Sequence, residues 1–224
     1  MALSALRRSS FASLPRAPAL LLPRMSRWEY RCFVPRTRGL TAAALDAAQL
    51  SREAGPERRA DDYLATDANH GLKRRGGAAN CAQLELKTCT RRLPDGCQQL
   101  SRSVIERHHS DGWRDASGPL EPALAAAVVA AVKQPALRVE KQRWAAPSQQ
   151  RSGVGVEVTK LKLPNGDRWL TVCCEGSDVA AVCAAGAALQ RAALGAAGVP
   201  PEAARVCSYA AWVCEQRAQQ TASA

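Results

Sequence analysis

Four short segments of this chain place charge where a strand buried in a sheet would be apolar. They are Leu84-Glu85-Leu86-Lys87, Leu137 to Trp144 (LRVEKQRW), Gly155 to Lys162 (GVEVTKLK) and Trp169 to Glu175 (WLTVCCE). Side chains alternate between the two faces of a strand, so Glu85 and Lys87 share one face, as do Lys141 and Arg143. A single strand of this kind is a solvated sheet surface. Several in one modest domain, with hydrophobic residues on the opposite face, predict a sheet curled round a charged interior. Buried like charges are costly unless something of opposite sign neutralises them, so the pattern also calls for a charged ligand.

The remaining segments supply the partners of these strands. Trp28 to Val34 reads as a strand closed by Pro35, and Thr41 is expected to cap a helix, TAAALDAAQLSRE, stopped by Gly55-Pro56. Asp61 to Thr66 and His70 to Arg75 form a predicted hairpin, followed by a turn at Gly76-Gly77. Gln83 to Arg91 is a strand, Pro94-Asp95-Gly96 a turn and Cys97 to Val104 the returning strand. Glu106 to Gly118 is polar and reads as a loop, after which Pro122 opens an Ala/Val helix to Gln134. Strands follow at 137–144, 153–163 and 168–175, the last two joined through Asn165-Gly166, a strong hairpin signal. Ser177 is expected to cap a helix ending at Gly195, and Pro200-Pro201 to start a final helix running to about Gln216. The tally is about eight strands and four helices, mostly antiparallel and without an internal repeat, an α+β arrangement.

Composition narrows this picture. At 224 residues the chain has room for one domain with appendages. The net charge is +11, but five arginines (Arg7, Arg8, Arg16, Arg24, Arg27) fall in the first 27 residues, which hold no acid. The remainder has 26 basic against 20 acidic residues, or +6, a balance that suits an anionic ligand better than a protein coating a duplex. Residues 1–27 are rich in Arg and Ser and interspersed with leucines, the composition of an organellar transit peptide. The expected address is a mitochondrion or a plastid; a leader without an address, or a true start at Met25, is the alternative. Residues 28–216 would then be the domain and 217–224 a disordered tail. No stretch approaches the roughly 18 uninterrupted apolar residues of a membrane span, so no membrane partner is expected. Nine cysteines include no Cys-x-x-Cys, Cys173-Cys174 face opposite ways in a strand, and no His stands at ligand-like spacing from any of them. They read as small buried hydrophobes, not as zinc ligands.

Six segments stand in a telling order. His70-Gly71-Leu72-Lys73-Arg74-Arg75 follows Asp62-Tyr63-Leu64-Ala65-Thr66-Asp67; Leu84-Glu85-Leu86-Lys87 and Val139-Glu140-Lys141-Gln142-Arg143 come next; Cys173-Cys174-Glu175-Gly176 and Ser208-Tyr209-Ala210-Ala211-Trp212 close the series. This order resembles the CYTH domain, the triphosphate tunnel family, with its Arg-x-Arg strand after a Tyr-Asp-Thr turn, its Leu-x-Lys, Lys-x-Arg and Glu-x-Glu strands and its closing Ser-Tyr helix. The resemblance covers most of residues 28–214. It implies an antiparallel eight-stranded β-barrel, a tunnel with about four flanking helices. It further implies that Arg31, Lys73, Arg75, Lys87, Lys141 and Arg143 bind phosphate, and that Glu29, Glu157 and Glu175 hold Mg²⁺ or Mn²⁺. The ligand so implied is a polyphosphorylated small molecule: inorganic triphosphate, thiamine triphosphate or a nucleotide.

The chain also departs from that family. Its opening Glu-x-Glu-x-Lys strand reads Arg27-Trp28-Glu29-Tyr30-Arg31 here, and Cys173 stands where the Glu-x-Glu strand has its first acid. Two of the metal-binding carboxylates implied by the resemblance are therefore gone, while the cationic half is kept. Planar guanidinium groups bind phosphate oxygens bidentately, so anion binding is expected to persist where metal-dependent hydrolysis of a triphosphate is in question. The same residues have plainer readings: a solvated basic hairpin at Lys73 to Arg75, an exposed cross-strand pair at Glu85 and Lys87, surface acids at Glu29 and Glu175. Two other functions stay open, a non-catalytic organellar scaffold with a decayed tunnel, and an RNA-binding sheet with Trp28, Tyr30, Trp144 and Trp169 as stacking surfaces.

Overall fold

A computed structural model describes residues 26–64, 67–76, 83–108, 112–146 and 153–222 of the protein. In chain order come β1 (Ser26–Pro35), α1 (Leu40–Ala47), β2 (Glu57–Leu64), β3 (His70–Arg75), β4 (Gln83–Arg92) and β5 (Gln98–His108). A small hairpin of β6 (Gly112–Asp115) and β7 (Gly118–Pro119) leads into α2 (Pro122–Val132). Then follow β8 (Leu137–Ala146), β9 (Val154–Lys162), β10 (Arg168–Gly176), α3 (Val179–Ala196), a 3₁₀ turn at Pro201–Ala203, β11 (Arg205–Val206) and α4 (Tyr209–Ala222).

Eight of these strands close on themselves in the order β1-β10-β9-β8-β2-β3-β4-β5, every neighbouring pair antiparallel. Closure comes from β1, whose Ser26 to Glu29 pair with Ser101 to Gln98 of β5. The result is the expected α+β fold, an antiparallel eight-stranded barrel with four helices. A barrel of eight strands has an interior just wide enough to be filled by side chains or to hold one small ligand.

The outer face of the barrel carries two separate hydrophobic layers. Under α1 and α3 lie Tyr30, Cys32 and Val34 of β1, Val154, Val156 and Val158 of β9, and Leu170, Val172 and Cys174 of β10. Under α2 lie Leu64, Leu72, Leu84, Leu86 and Ile105, with Trp113 from β6. Alternation along the strands explains both layers: Val156, Val158, Leu170, Val172 and Cys174 fall on one parity, and Glu157, Thr159, Thr171 and Cys173 on the other. α3 is 18 residues of mean hydropathy 1.4, long and apolar enough to cross a membrane. It carries Gln190 and Arg191, and its Val182, Gly186, Leu189, Ala193 and Leu194 are buried.

Several element boundaries differ from the sequence reading, each for a local reason. Gly39, left-handed at φ 83°, and not Thr41, precedes α1. That helix stops at Ala47 because Gln49 turns left-handed (φ 51°), while Leu50 and Gln49 donate to the carbonyls of Leu45 and Asp46, a Schellman closure well short of Gly55. β2 begins at Glu57, four residues before the expected strand. The polar segment from Glu106 continues β5 and then forms the β6–β7 hairpin, which the burial of Trp113 beneath α2 holds down. Asp178, not Ser177, caps α3, its carboxylate accepting from the amides of Ala180 and Ala181. Pro200-Pro201 opens only a 3₁₀ turn. α4 starts at Tyr209 and runs on through 217–222, residues expected to be tail. The leader to residue 25, Thr66, Gly77, Cys81 and His109 lie outside the described residues.

Gly186 sits where α3 crosses β1: a Cβ there would lie 2.4 Å from the Tyr30 ring and 2.6 Å from its Cβ. Gly186→Ala is therefore expected to lower stability by about 1–3 kcal/mol, the usual cost of overfilling a packed core. Alanine is the better helix former by about 1 kcal/mol, which works the other way. Thermal unfolding followed by circular dichroism measures the balance, and an unchanged or raised midpoint would mean the β1–α3 contact has room to spare.

Candidate functional site

Cross-strand neighbours share a face, so register decides which side chains enter the barrel. Lys73 on β3 stands opposite Tyr63 of β2 and Glu85 of β4. Lys87 faces Arg102 of β5, and Arg75 faces Asp61. On the other wall Arg31 stands opposite Cys173, which in turn pairs with Glu157; Lys141 stands opposite Arg59, and Arg143 opposite Thr159. These are the positions that alternate against the two outer hydrophobic layers. The charged parity of the strands is thus the inside of the barrel.

The interior has two unlike halves. One end is filled by Phe33, Leu137, Val139, Leu161 and Leu163 and plugged by Trp212 and Val213 of α4. Trp212 stacks on Phe33 with centroids 4.9 Å apart, and Tyr209 stacks on Tyr63 at 5.4 Å. The other half is a cavity of about 1220 Å³, floored by Tyr63 and Tyr209 and bordered at its mouth by Arg102, Val104, Glu106 and the β6–β7 turn at Asp115 to Ser117. Ten basic and six acidic residues line it, with Asp61 buried behind them, so cations exceed acids by three.

Four acids inside this half, Glu29, Glu157, Asp61 and Glu85, are each shared between cations. Glu29 accepts from Arg31 Nε at 2.9 Å and from Lys87 Nζ at 3.0 Å. Glu157 accepts from Arg31 Nη1 at 2.9 Å and from Arg143 Nε at 2.6 Å. Asp61, fully buried, lies 2.9 Å from Lys141 Nζ, 3.4 Å from Arg59 Nε and 3.8 Å from Lys73 Nζ. Glu85 meets Lys73 at 2.8 Å, Arg75 at 2.9 Å and Arg102 at 2.7 Å. Glu175 is the exception, 43% exposed and 3.6 Å from Arg27 at the rim.

This arrangement keeps the acids ionised. Burial would raise the carboxyl of Glu29, but Arg31 and Lys87 outweigh it and hold it at about 2. Burial opposes ionisation of Glu85 as well, and Lys73, Arg102 and Arg75 bring it to about 2. Glu157 and Asp61 are likewise held below the ordinary carboxylate range, against burial, by the cations around them. Lys73 and Lys141 are lowered toward the neutral amine instead, burial being the largest cause in both. Lys141 donates to Tyr63 Oη at 2.6 Å, with its ammonium 4.2 Å from the Tyr209 ring centre. Burial, then repulsion from Lys73, lowers its pKa to about 7 despite Asp61.

All nine residues named from the sequence, Arg31, Lys73, Arg75, Lys87, Lys141, Arg143, Glu29, Glu157 and Glu175, line this cavity, as does Arg27. Cys173 shares their face, buried between Arg31 and Glu157, and burial pushes its thiol well above the ordinary range. Arg59, Asp61, Tyr63 and Arg102 escaped the sequence reading. The signal was present as the period of two in Glu57-x-Arg59-x-Asp61-x-Tyr63, which the expected strand start at Asp61 cut short, and in Arg102, which lay within an expected strand but whose face shows only from its pairing with Lys87. The four aromatic residues considered as stacking surfaces are used otherwise. Tyr30 and Trp144 are buried in the outer layer, Trp28 packs against it, and Trp169 packs edge-on against Trp212 at 5.8 Å.

No group of three His, Cys, Asp or Glu side chains among the described residues could hold a metal ion. Both oxygens of Glu29 and both of Glu157 already accept from guanidinium or ammonium groups.

No protein-family model matches the chain, and no curated protein matches it by sequence. Among solved structures, the chain is similar to the PH1012 protein of Pyrococcus horikoshii, at 12% identity and a TM-score of 0.40 over 79% of this chain and 94% of that one. It is also similar to a conserved hypothetical protein of Pyrococcus furiosus, at 12% identity and a TM-score of 0.40 over 81% and 98%. The PH1819 protein of Pyrococcus horikoshii follows at 11% identity and a TM-score of 0.38 over 84% and 99%.

Proposed function

We propose that the charged half of the barrel binds a small polyphosphorylated anion, such as inorganic triphosphate or the triphosphate end of a larger molecule. The observation that carries this reading is the cavity itself: ten Lys and Arg side chains converge on about 1220 Å³ with fewer acids to match them. Inorganic triphosphate carries about four negative charges at neutral pH, one on each of its three phosphates and one more from a terminal group that loses its second proton near pH 6. That compares with an excess of three cations. Arg75, Lys87, Arg102 and Arg143 keep between 30% and 53% of their surface exposed toward the mouth. Each has more N–H donors than the bonds it gives to Glu85, Glu29 or Glu157, so it can meet phosphate oxygens while keeping its acid, and Arg offers the planar fork that such oxygens favour. The resemblance of the motif order to the triphosphate tunnel family supports the same ligand class. The reading is one of binding; no hydrolytic step follows from the groups in place.

Calorimetric titration with orthophosphate, diphosphate and triphosphate tests it. Affinity is expected to rise along the series and to fall with salt. Arg143→Gln should weaken triphosphate binding about tenfold or more, the worth of one hydrogen bond to a charged group. Arg138→Gln, on the outer face against Asp62, should leave it unchanged. Equal losses in both variants, or no binding by the parent, would overturn the cavity as the site.

Lys141 gives the binding a pH signature. It faces Arg59, Asp61 and Tyr63 of β2, Lys73 of β3 and Tyr209 of α4. With its free pKa near 7, the amine is mostly neutral at pH 8, and an anion beside it favours the charged form. Binding at pH 8 should therefore take up a proton at Lys141, and affinity should fall as pH rises above 7, by up to about tenfold per unit. Calorimetry in buffers of different ionisation enthalpy reads the uptake. The difference between the parent and Lys141→Met separates it from the ligand's own protons. An identical proton count in the two would show that Lys141 does not charge on binding.

A further inference from the structure

Arg31 occupies an unusual position for a phosphate ligand. It is 5% exposed, and its guanidinium lies between two carboxylates, with Nε 2.9 Å from Glu29 and Nη1 2.9 Å from Glu157. Nη1 also reaches Thr171 Oγ1 at 3.3 Å, and the group sits 4.7 Å over the ring centre of Tyr209. The remaining oxygens of the two acids are held by Lys87 and Arg143. The third acid of this wall, Glu175, turns to Arg27 at the rim, and a neutral thiol, Cys173, stands opposite Arg31 on the neighbouring strand.

We infer that Arg31 is a built-in counter-ion that takes the place of a divalent cation between Glu29 and Glu157, so that the barrel binds its anion without metal. The inference rests on the anion-binding reading above and specifies how that site is balanced. A magnesium ion needs near-octahedral oxygen ligands at about 2.0–2.1 Å, and the two carboxylates best placed to offer them have every oxygen spoken for. A guanidinium does the electrostatic part of the metal's work: it holds the acids apart and leaves donors for an anion. It does not titrate at physiological pH, and its covalent tether makes it indifferent to chelators. The thiol at 173 fits the same scheme. An acid there would add a charge that one arginine could not balance, whereas a protonated thiol adds none. Lys73, Arg75 and Lys141 are arranged around Asp61 and Glu85 in the same manner, with lysine and arginine supplying all the positive charge.

The test uses the full chain, freed of metal with a chelator and titrated with inorganic triphosphate. A parallel titration adds Mn²⁺ alone, followed by the electron paramagnetic resonance signal of the free ion. The expected result is triphosphate binding that survives chelation, no depletion of free Mn²⁺ by the parent protein, and weaker apparent binding when Mg²⁺ is added, because the ion withdraws free triphosphate. Arg31→Gln should lose about tenfold or more in metal-free affinity, and should deplete Mn²⁺, since Glu29 and Glu157 are then released to an external cation. Triphosphate binding by the parent that appears only with Mn²⁺, a gain of roughly a hundredfold, would overturn the inference while leaving the anion site standing. Parent protein that depletes Mn²⁺ by itself would overturn it too. No binding of triphosphate in either condition would remove the anion-binding reading and this inference together. The parent measurements stand alone if Arg31→Gln does not fold.

Discussion

The structure depends on the way opposite charges are interleaved inside a closed barrel. Four interior acids, the buried Asp61, Glu29 and Glu85 and the half-buried Glu157, are each set among two or three cations drawn from different strands. An unpaired ion in such a place would cost several kcal/mol, so removing one of these acids would strand cations on two or three strands at once. Arg31 binds both Glu29 and Glu157, and Lys73 reaches both Asp61 and Glu85. The interior is held by two such chains of charge, one through Arg31 and one through Lys73. This makes strand register unusually strict: a slip of one residue would turn an ionic wall outward and drive Val, Leu and Ile into the lumen.

The aromatic plug at the other end completes the electrostatics. Phe33, Trp212, Tyr209 and Tyr63 form a dry floor, and the innermost cations, Lys141 and Arg31, lie directly on it. Ring faces favour cations, yet the same burial removes the water that would keep a lysine charged. An ammonium settles near its tipping point in these surroundings, whereas a guanidinium stays ionised. The two residue types at the floor are thus not interchangeable, and their order along the strands carries meaning.

Much of this was legible in the chain because a strand writes its two faces in alternate letters. Glu85 and Lys87, Lys141 and Arg143, and Glu157 flanked by Val156 and Val158 declare a charged parity against an apolar one before any pairing is known. Hairpin signals such as Asn165-Gly166 then order the strands. What the letters concealed was where strands begin and end. Arg59 lies in a run of charges, Glu57-Arg58-Arg59, that resembles a solvated loop until β8 is seen beside it. The β6–β7 hairpin depends on Trp113 finding a pocket formed by residues far away in sequence. Partner choice was concealed as well. That Glu29 and Glu157 converge on one guanidinium is a property of three-dimensional register, and nothing in the spacing of residues 29, 31 and 157 announces it.

The plug at one end of the barrel also sets a polarity for whatever enters. With Trp212 and Val213 sealing the far side, the passage is a socket and not a conduit: a guest must come and go by the same door, leading with one terminus. On the proposed reading, a chain of phosphates would enter tip first, its leading units meeting Lys141 and Arg31 at the bottom, with anything attached beyond them left outside near the β6–β7 turn. A socket of this kind would read the phosphate end of a molecule and leave whatever is attached beyond it outside.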